Sequence, residues 1–191
     1  AHALLHACLH PEEAREPHGI EISVADLWRR LSGMHADYAH GIIPDLSGPL
    51  DVPLFNTLRA RMFRDRPAID LTAHRDQRGI FVETAKVRGG GGQTSYSTTE
   101  SGITRGEHYH LRKIERFVVI SGTAEILIRH VLDGPETTVK LEVHGDKPMA
   151  VDMPTGWAHN ITNIGDQPLL TQFWINEVYD PDDPDTFAER V

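Results

Sequence analysis

The sequence predicts a mainly β fold, an antiparallel barrel or sandwich, preceded by a helical appendage. Three observations predict it. From about residue 69 onward the chain breaks into short segments of β-like character divided by turn residues, the pattern of strands joined by hairpins. Ahead of that point the apolar residues recur at helical spacing instead. The length of 191 residues suffices for one domain with a core plus an appendage, and a single cysteine excludes a disulfide framework within the chain.

Helical character falls in three patches. Residues 3–9 are apolar, and residues 23–31 open on Ser23 as an N-cap ahead of Val24, Leu27, Trp28 and Leu31, with Gly33 expected to end the helix. After a Pro-, Gly- and Asp-rich stretch at 42–53, residues 54–63 resume the pattern before Pro67. Residues 1–68 are therefore taken as the appendage and 69–191 as the β domain. Strands are expected at 80–86, 93–99, 104–110, 115–120, 123–130, 137–143, 149–153, 159–162 and 169–175. The glycine run 89–92 reads as a hairpin tip, since no helix signal or Lys-Ser/Thr pair follows as a phosphate loop requires. The tail from Asp180 to Asp185, interrupted by Pro181 and Pro184, reads as an extended solvated segment. Trp157 and Trp174 are expected in the core.

Charge narrows the function classes. A net charge of −9 speaks against a nucleic-acid surface, which wants clustered Lys and Arg. The apolar run 3–9 is too short to span a bilayer and lacks the basic flank of a signal peptide, so neither a membrane partner nor secretion is expected, and the lone Cys8 fits the cytoplasm.

One stretch concentrates chemistry. Gly102, His108, His110, Glu115 and Gly122 stand in the spacing G-x5-H-x-H-x4-E-x6-G, and Pro154, Gly156, His159 and Asn163 in P-x-G-x2-H-x3-N. On a strand, residues two apart face the same way, so His108 and His110 reach a common point while Tyr109 turns away. His108, His110, Glu115 and His159 are the expected ligands of one divalent metal; ligand type alone admits Zn, Mn, Fe or Ni. The two spacings are the signature motifs of the cupin superfamily, with the second motif's leading glycine displaced to Gly145. This makes the expected fold a double-stranded β-helix or jelly-roll barrel.

A narrower resemblance rests on Asp76, Arg78, Gly79, Phe81 and Glu83, then Gly92, Gln93 and Ser95, then Gly102 to Gly106 with His108, Tyr109, His110, Lys113, Glu115 and Phe117. It continues through Val151, Asp152, Pro154, Gly156 and His159 to an ending of Asp180, Pro181, Pro184, Asp185 and Thr186. Over roughly residues 70–188 this resembles the C-terminal cupin domain of the CapF/WbjC-type capsular polysaccharide synthesis enzymes. The resemblance implies zinc, a UDP-linked 4-keto-6-deoxy amino sugar as substrate, and epimerisation at C3 on the route to UDP-N-acetyl-L-fucosamine. Residues 1–68 resemble the end of the reductase domain that precedes the cupin there, but no dinucleotide-binding glycine fingerprint is present, so reductase activity is not expected from this chain alone.

For proton transfer the candidates are Lys113 and Glu107, which flank the histidine pair; for the diphosphate, Arg78 and Arg105, whose guanidinium forks match phosphate oxygens. The segment from Asp76 to Glu83 is also similar to the metal-free dTDP-4-dehydrorhamnose 3,5-epimerases, which implies that Phe81 and Glu83 contact the nucleotide base. A homodimer is expected, a two-fold partner covering open sheet edges. The rival reading is a sugar-nucleotide-binding cupin module without turnover.

Overall fold

The computed structural model describes residues 19–77, 79–89 and 91–191; the expected helix at 3–9 and Arg78 lie outside the described residues. The chain divides into two compact units, residues 1–30 and 31–191. In the first, Ser23 caps a helix as its sequence predicts: its Oγ accepts from the Asp26 N–H at 3.0 Å and donates to the Asp26 carboxylate at 2.6 Å. Gly33 does not end that helix. It runs as α1 (Val24–Ala39), because Met34 and Tyr38 beyond the glycine are buried, and such packing outweighs the roughly 1 kcal/mol that a mid-helix glycine costs. The turn comes at Gly41, whose φ of +75° is the left-handed conformation that a helix end favours and glycine adopts without strain.

The second helix, α2 (Asp51–Met62), is followed by strands β2 (Ile69–Asp70), β6 (Gln93–Thr99), β7 (Thr104–Tyr109), β8 (Glu115–Ser121) and β9 (Thr123–His130). Then come β10 (Val139–His144), β11 (Met149–Met153), β12 (Trp157–Asn163), β13 (Leu169–Ile175) and β14 (Phe187–Ala188). These strands form two five-stranded antiparallel sheets, ordered β10-β9-β12-β7-β14 and β2-β11-β8-β13-β6. Two minor pairs stand outside them: β1 (Ile42–Ile43) runs parallel to β5 (Lys86–Val87), and β3 (Ala73–Asp76) forms a hairpin with β4 (Gly79–Val82). The expected strand at 80–86 is thus split into β4 and β5, and the one at 137–143 starts later, behind a single 3-10 turn at Pro135–Thr137. Among the described residues no helix is long and apolar enough to cross a membrane.

The two sheets enclose the main core, where Phe117, Val119, Ile126, Ile128, Met153 and Ile161 meet. Strand β8 is buried on its other face as well. There Val118 packs with Ala150, Trp174, Met34, Tyr38 and Phe55, the last three from α1 and α2. This two-sided burial explains why β8 carries an unbroken apolar run from Phe117 to Val119 in place of alternation. Residue 68 therefore marks a change of element type, while the packing continues across it.

The outer core also holds a buried ion pair. Arg116 donates from Nε and Nη2 to the two carboxylate oxygens of Asp152 at 2.7 and 2.9 Å, and from Nη1 to the Gly41 carbonyl at 3.2 Å. The Tyr38 hydroxyl donates to Asp152 at 2.8 Å. One network so joins the end of α1 to β8 and β11.

Candidate metal centre

Three elements deliver the four ligand candidates. Strands β7 and β12 place His108 directly opposite His159 in one sheet, β8 brings Glu115 in from the facing sheet, and His110 lies one residue beyond the end of β7. One ligand atom from each of the four lies within 4.8 Å of all the others. The four residues are thus brought together, His110 reaching the cluster from the strand's exit. Tyr109 points away and stacks on Phe187, with ring centroids 5.2 Å apart.

A bulge aims His108. On β12 the neighbours His159 and Asn160 face His108 and Gly106, so Glu107 is the extra residue on β7. Gly106 has φ +99° and Glu107 +60°. The irregularity puts Arg105 and His108, three residues apart, on the same inward side as their partners Ile161 and His159. A Cβ at Gly106 would lie 2.8 Å from the His159 carbonyl oxygen and 3.0 Å from the Asn160 Cα, both backbone atoms. We expect Gly106→Ala to push β7 off β12, costing about 1–3 kcal/mol of stability and loosening metal binding; a thermal melt and a zinc competition titration check the two effects together.

The donor set fits a metal ion. His110 Nδ1 lies 2.6 Å from the Asp185 carbonyl and His159 Nδ1 lies 3.2 Å from the Trp157 carbonyl. A carbonyl only accepts, so both Nδ1 atoms carry the proton and, in the neutral rings, both Nε2 atoms present lone pairs. Those lone pairs face an oxygen that is itself an acceptor: Glu115 Oε2 sits 3.0 Å from His110 Nε2 and 3.4 Å from His159 Nε2. The His159 Nε2, wholly buried, has no hydrogen-bond partner. Donor atoms about 2.0–2.1 Å from a tetrahedral zinc stand about 3.3 Å apart, close to the 3.0 and 3.4 Å that separate Glu115 Oε2 from the two Nε2 atoms. The His–carbonyl bonds are the outer contacts that orient metal-bound imidazoles.

Electrostatics agree. Burial, reinforced by the neighbouring His159 and His110, pushes the His108 imidazole down to about 4, so it is neutral and able to ligate near pH 7. Burial pushes the Glu115 carboxyl up, but hydrogen bonds and positive charge from His110 and His159 outweigh it and hold the group well below the usual carboxylate range. This depends on protons on the facing Nε2 atoms, which a bound cation would displace.

The other expected site residues are dispersed. Lys113 is buried, but its Nζ donates to the Pro184 carbonyl at 2.7 Å and lies over the Tyr179 ring. The Glu107 carboxylate accepts from Asn160 Nδ2 at 2.9 Å and the Val191 N–H at 3.0 Å. Because Asn160 and His159 are consecutive on β12, this bond holds Glu107 on the strand face opposite the cluster. Both groups are thus committed to the C-terminal segment, and their positions give no support to a proton-transfer role. Arg105 donates to Thr99 Oγ1 at 2.9 Å and the Thr98 carbonyl at 3.0 Å, leaving the rest of its fork to solvent. Phe81, 65% exposed, stands on the β3–β4 hairpin, and Glu83 just beyond it pairs with Lys86 at 2.7 Å. The residue that sequence reasoning missed is Asp185, 6% exposed and in direct contact with His110. The prolines around it resembled a solvated tail; the available signal was its place in the ending shared with the CapF-type pattern.

Two antiparallel sheets enclosing three histidines and a glutamate define a cupin barrel with a metal-type ligand cluster. The chain belongs to the polysaccharide biosynthesis C-terminal domain family, whose model matches residues 74–187. It is 34% identical over 171 residues to the UDP-2-acetamido-2,6-β-L-arabino-hexul-4-ose reductase of Pseudomonas aeruginosa, covering 90% of this chain and 45% of that protein. To the spore coat polysaccharide biosynthesis protein SpsL of Bacillus subtilis it is 28% identical, over 60% of this chain and 81% of the relative. The crystal structure of the capsular polysaccharide assembling protein CapF from Staphylococcus aureus matches with TM-score 0.51 at 30% identity, covering 100% of this chain and 53% of that one. The chain therefore spans about half the length of the Pseudomonas and Staphylococcus proteins. A likeness of fold extends to the dTDP-6-deoxy-D-glucose-3,5-epimerase RmlC of Legionella pneumophila, with TM-score 0.54 at 19% identity over 63% of this chain and 70% of that one.

Proposed function

We propose that this chain is a metal-dependent epimerase that inverts C3 of a UDP-linked 4-keto-6-deoxy-N-acetylhexosamine in polysaccharide biosynthesis, on the route to UDP-N-acetyl-L-fucosamine. The observation that carries the proposal is the convergence of His108, His110, Glu115 and His159, with the Nε2 atoms of His110 and His159 turned on one carboxylate. It is supported by the family match and by the Pseudomonas relative, whose name specifies a UDP-linked hexul-4-ose. Reduction and nicotinamide binding are not assigned to these residues.

Inverting a carbon beside a ketone requires removing a weakly acidic proton, stabilising the enolate and returning a proton from the other face. A divalent ion held by the four residues, zinc in our reading, supplies Lewis acidity toward the C4 carbonyl oxygen. The chain's own residues provide the rest of the setting. His110 and His159 are buried and His108 is half-buried, which makes the His108 side the approach for substrate. Arg105, on the same inward side as His108, grips the diphosphate with the donors that Thr98 and Thr99 leave unused. The exposed Phe81 ring offers a stacking face for the nucleotide base.

The test is solvent exchange. In deuterium oxide, the zinc-loaded chain given the UDP-linked 4-keto sugar is expected to place deuterium at C3 without any nicotinamide cofactor, read as loss of the C3 proton signal by NMR. Chelation should slow the exchange sharply and zinc should restore it. Tight substrate binding with no exchange in the zinc-loaded protein would overturn the proposal in favour of a binding module.

A further inference from the structure

Two of the four ligand candidates, His110 and Glu115, are joined by a short loop, and its backbone converges on a carboxylate from the far end of the chain. The Leu111 N–H donates to Asp185 Oδ1 at 3.1 Å, and the Arg112 and Lys113 N–H groups donate to Oδ2 at 3.0 and 2.7 Å. Three successive amides around one anion form a nest. The carbonyl of the same residue accepts the His110 Nδ1 proton at 2.6 Å. Asp185 thus touches the loop with its side chain and the ligand with its backbone.

Its conformation carries a cost that these contacts offset. Asp185 has φ +41°, one of two non-glycine residues with positive φ among those described, and a left-handed non-glycine residue costs on the order of 1–3 kcal/mol unless its surroundings over-determine it. Here they do. The adjacent Pro184 carbonyl accepts from Lys113 Nζ, Arg112 donates to the Asp183 carbonyl at 2.9 Å, and β14 pairs with β7 at Tyr109 and His108.

We propose that Asp185 is a positioning residue for the metal centre: its carboxylate sets the loop that spaces His110 from Glu115, while its carbonyl fixes the His110 ring and leaves Nε2 free to bind the ion. This rests on the metal reading of the four-residue cluster. Losing an outer-shell contact of this kind lowers metal affinity by roughly 10- to 100-fold. A residue serving only to pin the tail would lower the melting temperature and leave the affinity of the folded protein unchanged.

The test uses the full chain and zinc, with a competing chelator for affinity and nitrogen-15 NMR for the His110 ring. Asp185→Ala is expected to weaken zinc binding by roughly 10- to 100-fold and to release the His110 Nδ1 proton into fast exchange with water. Asp185→Gly should lose as much, because it keeps the left-handed conformation but not the carboxylate. Asp185→Asn, which tolerates that conformation and whose one oxygen can still accept the Arg112 and Lys113 N–H groups while its amide nitrogen faces the Leu111 N–H, should recover part of the affinity. If the parent binds zinc and folded Asp185→Ala binds it as tightly, the positioning proposal is wrong while the metal reading stands. A parent chain that takes up no zinc overturns both. The parent also tests the proposal without any variant: a His110 Nδ1 proton exchanging as fast as in free imidazole would overturn it.

Discussion

Glu115→Gln is expected to abolish the zinc binding proposed for the chain while leaving it folded. The substitution keeps the shape of the side chain and removes the anion toward which His110 and His159 turn their Nε2 atoms. A neutral amide is a poor ligand for the ions that suit imidazole. Because outer-shell changes alone cost roughly 10- to 100-fold in affinity, loss of this inner ligand should exceed that range. The metal-free fold should survive the change, since Gln keeps the volume of the side chain and its amide can donate to a facing imidazole Nε2. Elemental analysis of the purified variant, alongside His110→Ala, is the measurement. Full metal content in either would remove that residue from the ligand set.

The largest loss of stability is expected from Asp152→Ala. It leaves Arg116, 1% exposed, without its counter-ion, and breaking a buried pair in this way costs about 3–5 kcal/mol. For a domain of this size that corresponds to a melting temperature lower by about 6–20 °C. Replacing both partners at once, Asp152→Leu with Arg116→Met, should recover part of the loss, because the Arg116 charge no longer stays behind while the buried Arg59 nearby still loses its anion. A double variant no more stable than Asp152→Ala would argue against the pairing. The same residue gives the acid limb of the stability curve. Burial pushes the Asp152 carboxyl up, but Arg116 outweighs it and holds the group below its ordinary 3.8. The unfolded chain therefore takes up this proton first as the pH drops. The contribution of Asp152 is complete above pH 3.8 and declines below it until the native carboxyl is itself protonated. Asp152→Leu with Arg116→Met should flatten that limb.

What could be read in advance was what depends on local spacing. The i, i+2 pair His108 and His110, with Glu115 and His159 behind them, marked the cluster, and strands at 93–99, 123–130, 149–153 and 169–175 were legible from their turns. Readings failed where a distant contact decides. Gly33 resembles a helix stop until Met34 and Tyr38 find the outer face of β8. Glu107 flanks the site in sequence, yet the bulge at Gly106 turns it onto the opposite face with Asn160. Lys113 is close to the ligands in sequence, yet its ammonium is held by Pro184, 71 positions on. Asp185 is the converse: nothing near it in sequence hints that its partners are the amides of Leu111, Arg112 and Lys113.

The reach of Asp185 sets a clock. It contacts His110 across 75 positions of sequence, and ribosomes add about 5–20 residues per second. The histidine pair therefore exists on the growing chain for about 4–15 s before the residue that orients it has been made. His159 and the paired face of β12 also arrive ahead of it. An ion captured during that interval meets imidazoles whose rings have not been set and a loop that has not been gathered. The geometry of the cluster is thus complete only once residue 185 has been made, and on the metal reading a fully set site is not offered to an ion before then.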